Sequence, residues 1–430
     1  MKRPVILLTL MLVATSAGAQ TPTQAKRDSI ARADSIARAD SIALVRELEK
    51  MQTTSDTTQP PPTAAPTGGF IGSTNPRLLP DISAVGDLIA DFSPDGSTQE
   101  DQSRFSVREI ELAFQAAVDP FFRGDVFLGI SDEEGVAIEQ AYLTATSLPA
   151  QLEVRLGRYL LPFGKQNTTH RHDLHTIEYP WVIQKFFGPE GIKGTGVYVS
   201  RVFSPFGFYQ ELILTAIDRL GEPPEGLTAA EPPNKKLEGL GYSARFRNYL
   251  DLSESTNFEL SFSALTGRKE QPIAGAPEGD INAVNRRQTI AAADLTYRWR
   301  PLQQGLYKSF ILQAEWMRQF NPSRRTAVVP DLGEVELDAP SGHFDGAYAF
   351  ARYQITTRGF LGGRYDYVED PERDGTKIHA ASGYLEFFPS EFSKLVMGYE
   401  RYMPGGGEKS LNRFILQAAF ALGPHKPHPF

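Results

Sequence analysis

The sequence predicts an all-β protein, a transmembrane antiparallel β-barrel of about 16 strands preceded by a short periplasmic helix and a linker. Three observations predict this fold. After residue 80, apolar and polar side chains alternate in runs, the connections between runs are short and long in turn, and aromatic residues cluster at the ends of runs. Alternation gives a strand one apolar and one polar face, and outer-membrane barrels combine tight periplasmic turns, longer outer loops and interfacial aromatic girdles.

Each alternating run is long enough to cross the hydrocarbon layer. In the first run Ile82, Leu88 and Phe92 share an uncharged face, while Ser83 and Asp87 lie on the other. A tilted strand needs about ten residues for this crossing. We predict strands at 82–92, 104–118, 121–131, 136–146, 151–163, 195–203, 207–218, 239–250, 256–267, 288–299, 308–320, 343–355, 358–369, 377–388, 394–403 and 411–422. Lipid leaves no backbone group unpaired, so the sheet must close, and a barrel of this size keeps an aqueous lumen.

The N-terminus has the features of an export signal. Lys2 and Arg3 precede the apolar run 5–13, and the tripeptide Ala-Gly-Ala at 17–19 offers a cleavage site. Residues 1–19 are therefore predicted to be a signal peptide, because the apolar run is too short to span a bilayer. Export together with membrane-spanning strands indicates the bacterial outer membrane, with the N-terminal segment in the periplasm.

Two segments precede the barrel, which is assigned to residues 76–430. Residues 20–51 contain the repeat DSIARA and form a helical or coiled-coil segment, with one apolar heptad position at Ile30, Ala37, Leu44 and Met51. Two interpretations stay open, a short coiled coil that helps to hold an oligomer together and a solvated single helix. Residues 52–75 form a Pro/Thr-rich linker, which is semi-rigid where the prolines run together.

The composition excludes several classes of protein. The chain has no cysteine, which removes disulfide scaffolds, thiol catalysis and cysteine zinc sites. Its formal net charge of -8 gives no basic surface for nucleic acid, so no nucleic-acid partner is expected. The expected surroundings of the barrel are outer-membrane lipid.

Residues 164–193 stand out because they match neither a strand nor a helix. The segment follows the fifth predicted strand and is therefore the third outer loop. A connection of this length usually has a function, and we predict that it folds into the lumen and narrows it; the alternative is a loop lying over the mouth. The predicted constriction and solute-binding residues are Arg155, Lys165, His170, Arg171, His172, His175, Lys185 and Lys193.

Three histidines lie close together in this segment. His170, His172 and His175, with Asp173, have the compact spacing of a zinc site. However, alternate residues of an extended chain point in opposite directions. We therefore predict no bound metal and no cofactor, and we expect the histidines to contact solute or to hold the loop by hydrogen bonds.

Several stretches resemble one known family. RLGRYLLPFGKQN at 155–167, the following His-x-His and FFGPEGIKGTGVYVS at 186–200 are similar to the phosphate-selective porin O/P-like family. PDISAVGDLIADF at 80–92 and EQAYLT at 139–144 are similar to it as well. The resemblance implies a trimeric porin of sixteen strands whose third loop folds inward.

The predicted lumen wall departs from this family in its charges. The family is associated with a ladder of arginines and a cluster of lysines in the pore. Here the wall mixes both signs, with Arg245, Arg247, Arg298, Arg352 and Arg364 among acidic residues such as Glu109 and Glu111. Opposed rows of charge orient polar solutes but do not by themselves select anions.

The function predicted from these features is passive diffusion. The protein is expected to be an outer-membrane porin, a homotrimer, for small hydrophilic solutes, with anions such as phosphate as a candidate class. An alternative is an outer-membrane anchor whose N-terminal helix binds the cell wall or a periplasmic partner. A barrel enzyme such as a lipase would need a serine beside an outer-face histidine. His343 and His379 have that parity, but no such pair can be read from the sequence, and we predict no enzymatic activity.

Overall fold

A computed structural model of the protein describes residues 80–423, apart from short gaps at 100–101, 132–134, 222–226, 230, 233, 277–280, 322–325, 330–332, 338–339 and 374. The described residues all belong to one compact unit, Ser73–Phe430. The predicted signal peptide (1–19), helical or coiled-coil segment (20–51) and linker (52–75) lie outside the described residues and stay predictions.

Sixteen strands close into one antiparallel barrel, in which each strand pairs with the next barrel strand along the chain and β1 pairs with β18. They are β1 (Asp81–Asp91), β2 (Phe105–Ala117), β3 (Phe122–Ser131), β4 (Gly135–Ala145), β5 (Leu152–Leu160), β6 (Lys193–Phe203), β7 (Tyr209–Ile217), β8 (Gly241–Ser253), β9 (Thr256–Pro272), β10 (Ala283–Trp299), β11 (Phe310–Asn321), β14 (Gly342–Gln354), β15 (Gly359–Glu369), β16 (Lys377–Ser390), β17 (Ser393–Met403) and β18 (Leu411–Leu422). The long connection after β11 holds a separate two-stranded sheet of β12 (Thr326–Val329) and β13 (Gly333–Glu336). The predicted fold class and strand number are confirmed, but this small sheet was predicted as loop.

Alternation along the strands separates a polar inner face from an apolar outer face. In β9, Glu259, Ser261 and Ser263 are buried, whereas Phe262 between them is half exposed. Successive side chains of a strand point to opposite faces, so this pattern puts the charged positions inside. The outer face then presents apolar side chains to lipid.

Two strands are longer than the sequence indicates. β9 and β10 were predicted at 256–267 and 288–299, yet their ladder extends to the pair Pro272 and Ala283. The added part pairs Arg268 with Arg287, among other polar residues. No apolar face marks this stretch, so the period-two signal stops before the hydrogen-bonded ladder does.

Two β-bulges change the inner face of β2 and β4. In β2, Arg108 is the extra residue opposite β1, and in β4, Glu139 is the extra residue opposite β3. A bulge sets two residues of one strand against one of its partner and re-aims a side chain. Consequently Arg108 and Glu109 both turn inward, as do Glu139 and Gln140.

Residues 161–192, here called the inner loop, connect β5 to β6 through the interior of the barrel. The inner loop contains 3-10 turns and the seven-residue helix α1 (Trp181–Phe187). Among the described residues, no helix combines the length and the hydropathy needed to cross a bilayer. Leu174, Ile183 and Phe186 are almost fully buried and belong to one apolar cluster with Phe350 of β14. The segment thus occupies the lumen, where the sequence placed it.

Candidate constriction of the lumen

The inner loop begins with a close approach to the far side of the barrel. Gly164 has φ +62°, and a Cβ at this position would lie 1.6 Å from Oε1 of Glu315 on β11. Its backbone N–H donates to Oγ of Ser263 on β9 at 3.1 Å, and its carbonyl accepts from the guanidinium of Arg245 on β8. Glycine is required here because both the backbone conformation and the space exclude a side chain.

One asparagine ties the two ends of the inner loop together. The amide nitrogen of Asn167 donates to the carbonyl oxygens of Leu161 and Ile192, at 2.8 and 2.9 Å. Its amide oxygen accepts from the N–H of Ile192 at 2.7 Å. Asn167 is fully buried, so these bonds satisfy its polar atoms where water does not reach.

Basic side chains of the wall hold the middle of the inner loop through its carbonyl groups. Lys394 of β17 donates to the carbonyl oxygens of His172 and Leu174, the latter at 2.8 Å. Arg108 of β2 donates to the carbonyl oxygen of Ile177 at 3.0 Å. A loop inside a barrel has unpaired backbone acceptors, and charged donors satisfy them strongly.

Glu178 is the most strongly held acidic group of the inner loop. Arg413 of β18 donates to its Oε1 at 3.0 Å, and Arg364 of β15 donates to its carbonyl oxygen at 2.7 Å. Burial alone would raise the pKa of this carboxyl group, but the charges of Arg413, Arg108 and Arg171 outweigh it and lower the pKa to about 2. Glu178 is therefore ionised throughout the physiological range.

Helix α1 packs against β14 and β15. The N–H of Trp181 donates to Oδ1 of Asp366 at 3.0 Å, and the Trp181 ring lies 4.3 Å from the ring of Tyr402. A Cβ at Gly346 of β14 would lie 2.3 Å from Cγ2 of Val182, so the wall is indented to receive the helix. Val182 is fully buried, and burial of a side chain of this size contributes roughly 1.5–3 kcal/mol.

The three histidines separate into two groups. Nδ1 of His170 lies 2.6 Å from Oε2 of Glu111 on β2, and ligand atoms of Glu111, His170 and His172 lie within 4.8 Å of one another. His175 turns to another part of the wall, where its Nδ1 lies 4.0 Å from Oε2 of Glu386 on β16. Two histidines therefore meet at β2, and the third does not join them.

The surroundings also shift the pKa values of the three imidazole rings in different directions. Burial lowers the pKa of His172, and burial together with the charge of Arg352 lowers the pKa of His175 well below its usual value. Burial acts in the same direction on His170, but the neighbouring Glu111 carboxylate outweighs it and raises the pKa of His170. His172 and His175 are therefore neutral at neutral pH.

The predicted basic residues of the constriction each lie beside an acidic group. Arg155 contacts Glu153 at 2.7 Å, Lys165 contacts Glu259 at 2.6 Å, Arg171 lies 3.6 Å from Glu190, Lys185 lies 3.8 Å from Asp370, and Lys193 contacts Glu139 and Glu190 at 2.5 Å. Arg155 also lies 4.7 Å from the ring centre of Tyr198, in the larger of the two cavities described below. Arg171 and Lys193 share Glu190, whereas Arg155, Lys165 and Lys185 have other carboxylate partners along the inner loop and its ends.

The predicted wall arginines are paired in the same way. Arg245 lies 3.3 Å from Asp294, Arg247 contacts Glu211 at 2.8 Å, Arg298 lies 3.7 Å from Glu259, Arg352 contacts Glu386 at 2.8 Å and Arg364 contacts Asp366 at 2.7 Å. Arg245 and Arg364 also bind backbone of the inner loop. Glu259 is shared by Lys165, Arg245, Arg247 and Arg298, so these side chains form a connected network of charges.

Two cavities lie on opposite sides of the inner loop. The larger, of about 900 Å³, is near the strand ends joined by short turns and is lined by residues including Gln115, Asp125, Thr144 and Arg155. The second, of about 450 Å³, is near the long connections and is lined by residues including Thr98, Gly129, Arg171 and Leu411. Both cavities extend along β2 to β4, and the second also reaches Trp181 and Gln184 of α1.

The cavities meet at the level of the two bulges. Glu111 and Gln140 line the larger cavity, and Glu109 and Glu139 line the second. Glu109 and Glu111 are two residues apart on β2, and Glu139 and Gln140 are adjacent on β4, so one layer of side chains separates the two spaces. On the loop side the layer is completed by His170, which lines the larger cavity, and Arg171, which lines the second. We call this layer of wall and loop side chains the passage.

Sequence reasoning missed several residues that build the site. Asn167 lies inside the stretch 155–167 and could have been singled out there. Lys394 lies on a predicted strand without any sign that it reaches the inner loop. Arg108 and Glu139 were hidden because a bulge breaks the alternation on which the inner face was predicted.

One outer-face histidine considered for hydrolase chemistry contacts an aromatic residue. Nδ1 of His379 lies 2.8 Å from the hydroxyl of Tyr365, and its ring lies 5.2 Å from the ring of Tyr367. This environment is an aromatic patch, in which the recorded hydrogen-bond partner of the ring is a phenol.

The closed antiparallel barrel of sixteen strands defines the class of fold, and solved structures share it. OprB of Pseudomonas putida has a TM-score of 0.51 with 9% identity, covering 80% of this chain and 94% of that chain. The outer membrane channel DcaP of Acinetobacter baumannii has a TM-score of 0.50 with 13% identity, covering 80% and 97%. OmpT, an outer membrane protein of Vibrio cholerae (trimer form), has a TM-score of 0.50 with 9% identity, covering 80% and 99%. At these identities the likeness establishes the fold.

In sequence, the chain is similar to an uncharacterized protein of Aquifex aeolicus (strain VF5). The two are 26% identical over 399 residues, which is 82% of this chain and 80% of that protein. No protein-family profile matches the chain. The resemblance to the phosphate-selective porin O/P-like family therefore remains an inference from motifs.

Proposed function

We propose that this protein is an outer-membrane channel through which small hydrophilic solutes diffuse passively. The observation that carries the proposal is the pair of polar cavities on the two sides of the inner loop, which at the passage are separated by one layer of side chains. A loop that only sealed the barrel would contact β2–β4 as closely as it contacts β14 and β15. The channel performs no catalytic step.

The proposed solutes are small and polar, and selectivity among ions is weak. The cations named above at the inner loop and on the wall lie beside carboxylates, so among the described residues they form no row of unpaired positive charge. Opposed charges at the passage favour solutes that carry dipoles or both signs of charge. Phosphate is then one permeant anion among others.

The proposed location is the bacterial outer membrane, with both chain ends in the periplasm, and the proposed assembly is a homotrimer. An apolar outer face, an even number of strands and an alternation of short and long connections support this location and orientation. The likeness to OmpT in its trimer form supports the assembly. Cross-linking in native outer membranes, with dimer and trimer bands as the expected result, tests it.

Conductance in planar bilayers tests the channel. The purified protein is expected to give stepwise conductance with a reversal potential close to zero in a potassium chloride gradient, because the carboxylates near the passage lie beside His170, Arg171 and Lys193. Replacement of chloride by phosphate is expected to lower conductance without blocking it. Folded protein that inserts into bilayers and gives no conductance would exclude the channel, and strong anion selectivity would restore phosphate as the preferred solute.

A further inference from the structure

We propose that Glu111, His170 and His172 form a binding site for a divalent transition-metal ion. One ligand atom from each of the three residues lies within 4.8 Å of the other two. Glu111 and His172 are almost fully buried. All three side chains line the larger cavity, so an ion can reach them from water.

Glu111 supplies a second observation that points to a ligand. Its Oε2 is buried, and the contact recorded for it is with Nδ1 of His170 at 2.6 Å. Both atoms are candidate ligands, so a metal ion bound there would replace this single contact for each of them. A buried carboxylate has to be paired, and a cation is one of the partners that can do this.

The ligand types select the kind of metal. Two imidazoles and one carboxylate suit zinc and its neighbours, whereas magnesium and calcium prefer oxygen ligands alone. Zinc bonds to nitrogen and oxygen are about 2.0–2.2 Å, which places tetrahedral ligands roughly 3.4 Å apart. Binding therefore requires the three ligand atoms to close from within 4.8 Å of one another to this spacing. The cavity that all three side chains line leaves room for water or solute as a fourth ligand.

Gln140 of β4 controls which nitrogen of His170 is available. Its Oε1 accepts from the N–H of Leu160 at 3.2 Å, which turns its amide nitrogen to Nε2 of His170 at 2.8 Å. A metal bound at Nδ1 leaves a hydrogen on Nε2, so Gln140 must then present an oxygen instead. A glutamate at this position would accept from Leu160 and from Nε2 together. This is the arrangement in which a carboxylate orients a metal-bound histidine.

Zinc binding to the untagged, full-length protein in detergent, measured by isothermal titration calorimetry, tests the site. The variants are His172→Asn, Glu111→Gln and Gln140→Glu, with His175→Asn as the matched control because it lies on the same loop outside the cluster. His425→Asn/His428→Asn serves as the background for all of them, since it removes two other histidines. Heat-modifiable migration in gels shows that each barrel is folded.

We expect one saturable zinc ion in the background protein and in His175→Asn, and its loss in His172→Asn and Glu111→Gln. Gln140→Glu is expected to raise the affinity about tenfold, which a purely structural role of Gln140 would not do. An anomalous zinc peak between the three side chains would place the ion. No saturable binding, or loss of binding in His175→Asn with retention in His172→Asn, would overturn the proposal.

A functional consequence rests on the proposed channel. Zinc would join the inner loop to β2 at the passage, so micromolar zinc is expected to reduce conductance in the wild type and not in His172→Asn. Zinc that binds without any channel activity contradicts the channel and leaves the metal site standing. Channel activity without zinc binding contradicts the metal site and leaves the proposed channel standing.

Discussion

The inner loop contacts the two sides of the barrel in different ways. On one side, the anchoring wall (β8, β9, β11 and β14–β18) gives charged side chains to the loop backbone, as Arg364 and Lys394 do. On the other, the passage wall (β2–β5) gives the loop backbone a charged donor at Arg108, and its Glu109, Glu139 and Gln140 line the cavities or contact side chains of the loop and its ends.

The difference shows that one strand pattern serves two purposes. Both walls alternate apolar and polar residues, and both place charges inside. The anchoring wall uses its charges to satisfy carbonyl groups of a buried loop, which holds the loop in one position. The passage wall takes part in this anchoring through Arg108, and its two bulges add inward side chains between the two cavities.

Removal of the inner loop is expected to have the largest effect. Replacing residues 170–187 by a short Gly/Ser linker retains Asn167 and should raise single-channel conductance several-fold, because the occupied half of the lumen becomes water. Planar-bilayer recording measures this. Removal of residues 326–336, the small β12–β13 sheet in another connection, is the control and should leave conductance unchanged. Equal conductance in both variants would mean that the inner loop does not limit the flow.

Replacement of one arginine of the anchoring wall should have the second-largest effect. Arg364→Met removes the buried charge that pairs with Oδ2 of Asp366 and the donor to the Glu178 carbonyl, and breaking such a pair costs about 3–5 kcal/mol. We expect a lower unfolding temperature and frequent transitions to a higher conductance. Arg123→Met is the matched control, since Arg123 is half exposed beside Asp125 and exposed pairs contribute about 0–1 kcal/mol. Similar destabilisation in the two variants would contradict the distinction between the walls.

A change on the passage wall should alter selectivity without altering stability. Glu139→Gln removes one of the two carboxylates beside Lys193 and leaves the charge of the lysine less balanced. The reversal potential in a salt gradient is expected to shift modestly towards anions, while the unfolding temperature stays the same. A large loss of stability would show that Glu139 belongs to the anchoring system after all.

Lowering the pH from 7 to 4 should have the smallest effect on the anchoring of the inner loop. The pKa of Glu178 is about 2, below its ordinary 4.5, so its contribution to stability is complete above the ordinary value and is lost as the pH falls through the lowered one. The inner loop is therefore expected to stay anchored from pH 7 to pH 4 and to loosen only near pH 2. Glu178→Gln should show more open-state noise already at pH 7, and recordings across this range compare the two proteins.

Much of the fold could be predicted because the barrel is set by a local pattern. The alternation that begins at Ile82 repeats in each strand, and it locates the sixteen strands of the barrel within a few residues of most of their ends. What the pattern lacks is pairing information. The polar extension of β9 to Pro272 and the β12–β13 sheet depend on hydrogen bonds between strands, which leave no period-two signal.

The site was less predictable because it depends on contacts between distant parts of the chain. The loop and its histidines could be found, since they form an irregular stretch between regular strands. Nothing local indicates that Lys394 reaches His172, or that Glu111 meets His170 and leaves His175 elsewhere. The sequence gives the charges on the wall, but only the folded chain shows which of them face backbone and which face water.

The hydrogen bonds of Asn167 hold the two ends of the inner loop side by side. Its one side chain bonds to Leu161 and Ile192, so the path of the chain out of β5 and back into β6 is fixed without reference to residues 168–191. We therefore expect that the segment 168–191 can be replaced by another sequence while the two ends of the loop keep their positions. A designer who keeps Gly164 and Asn167 can fit a different insert between them and Ile192, and so set a new pore diameter or binding function in an unchanged barrel.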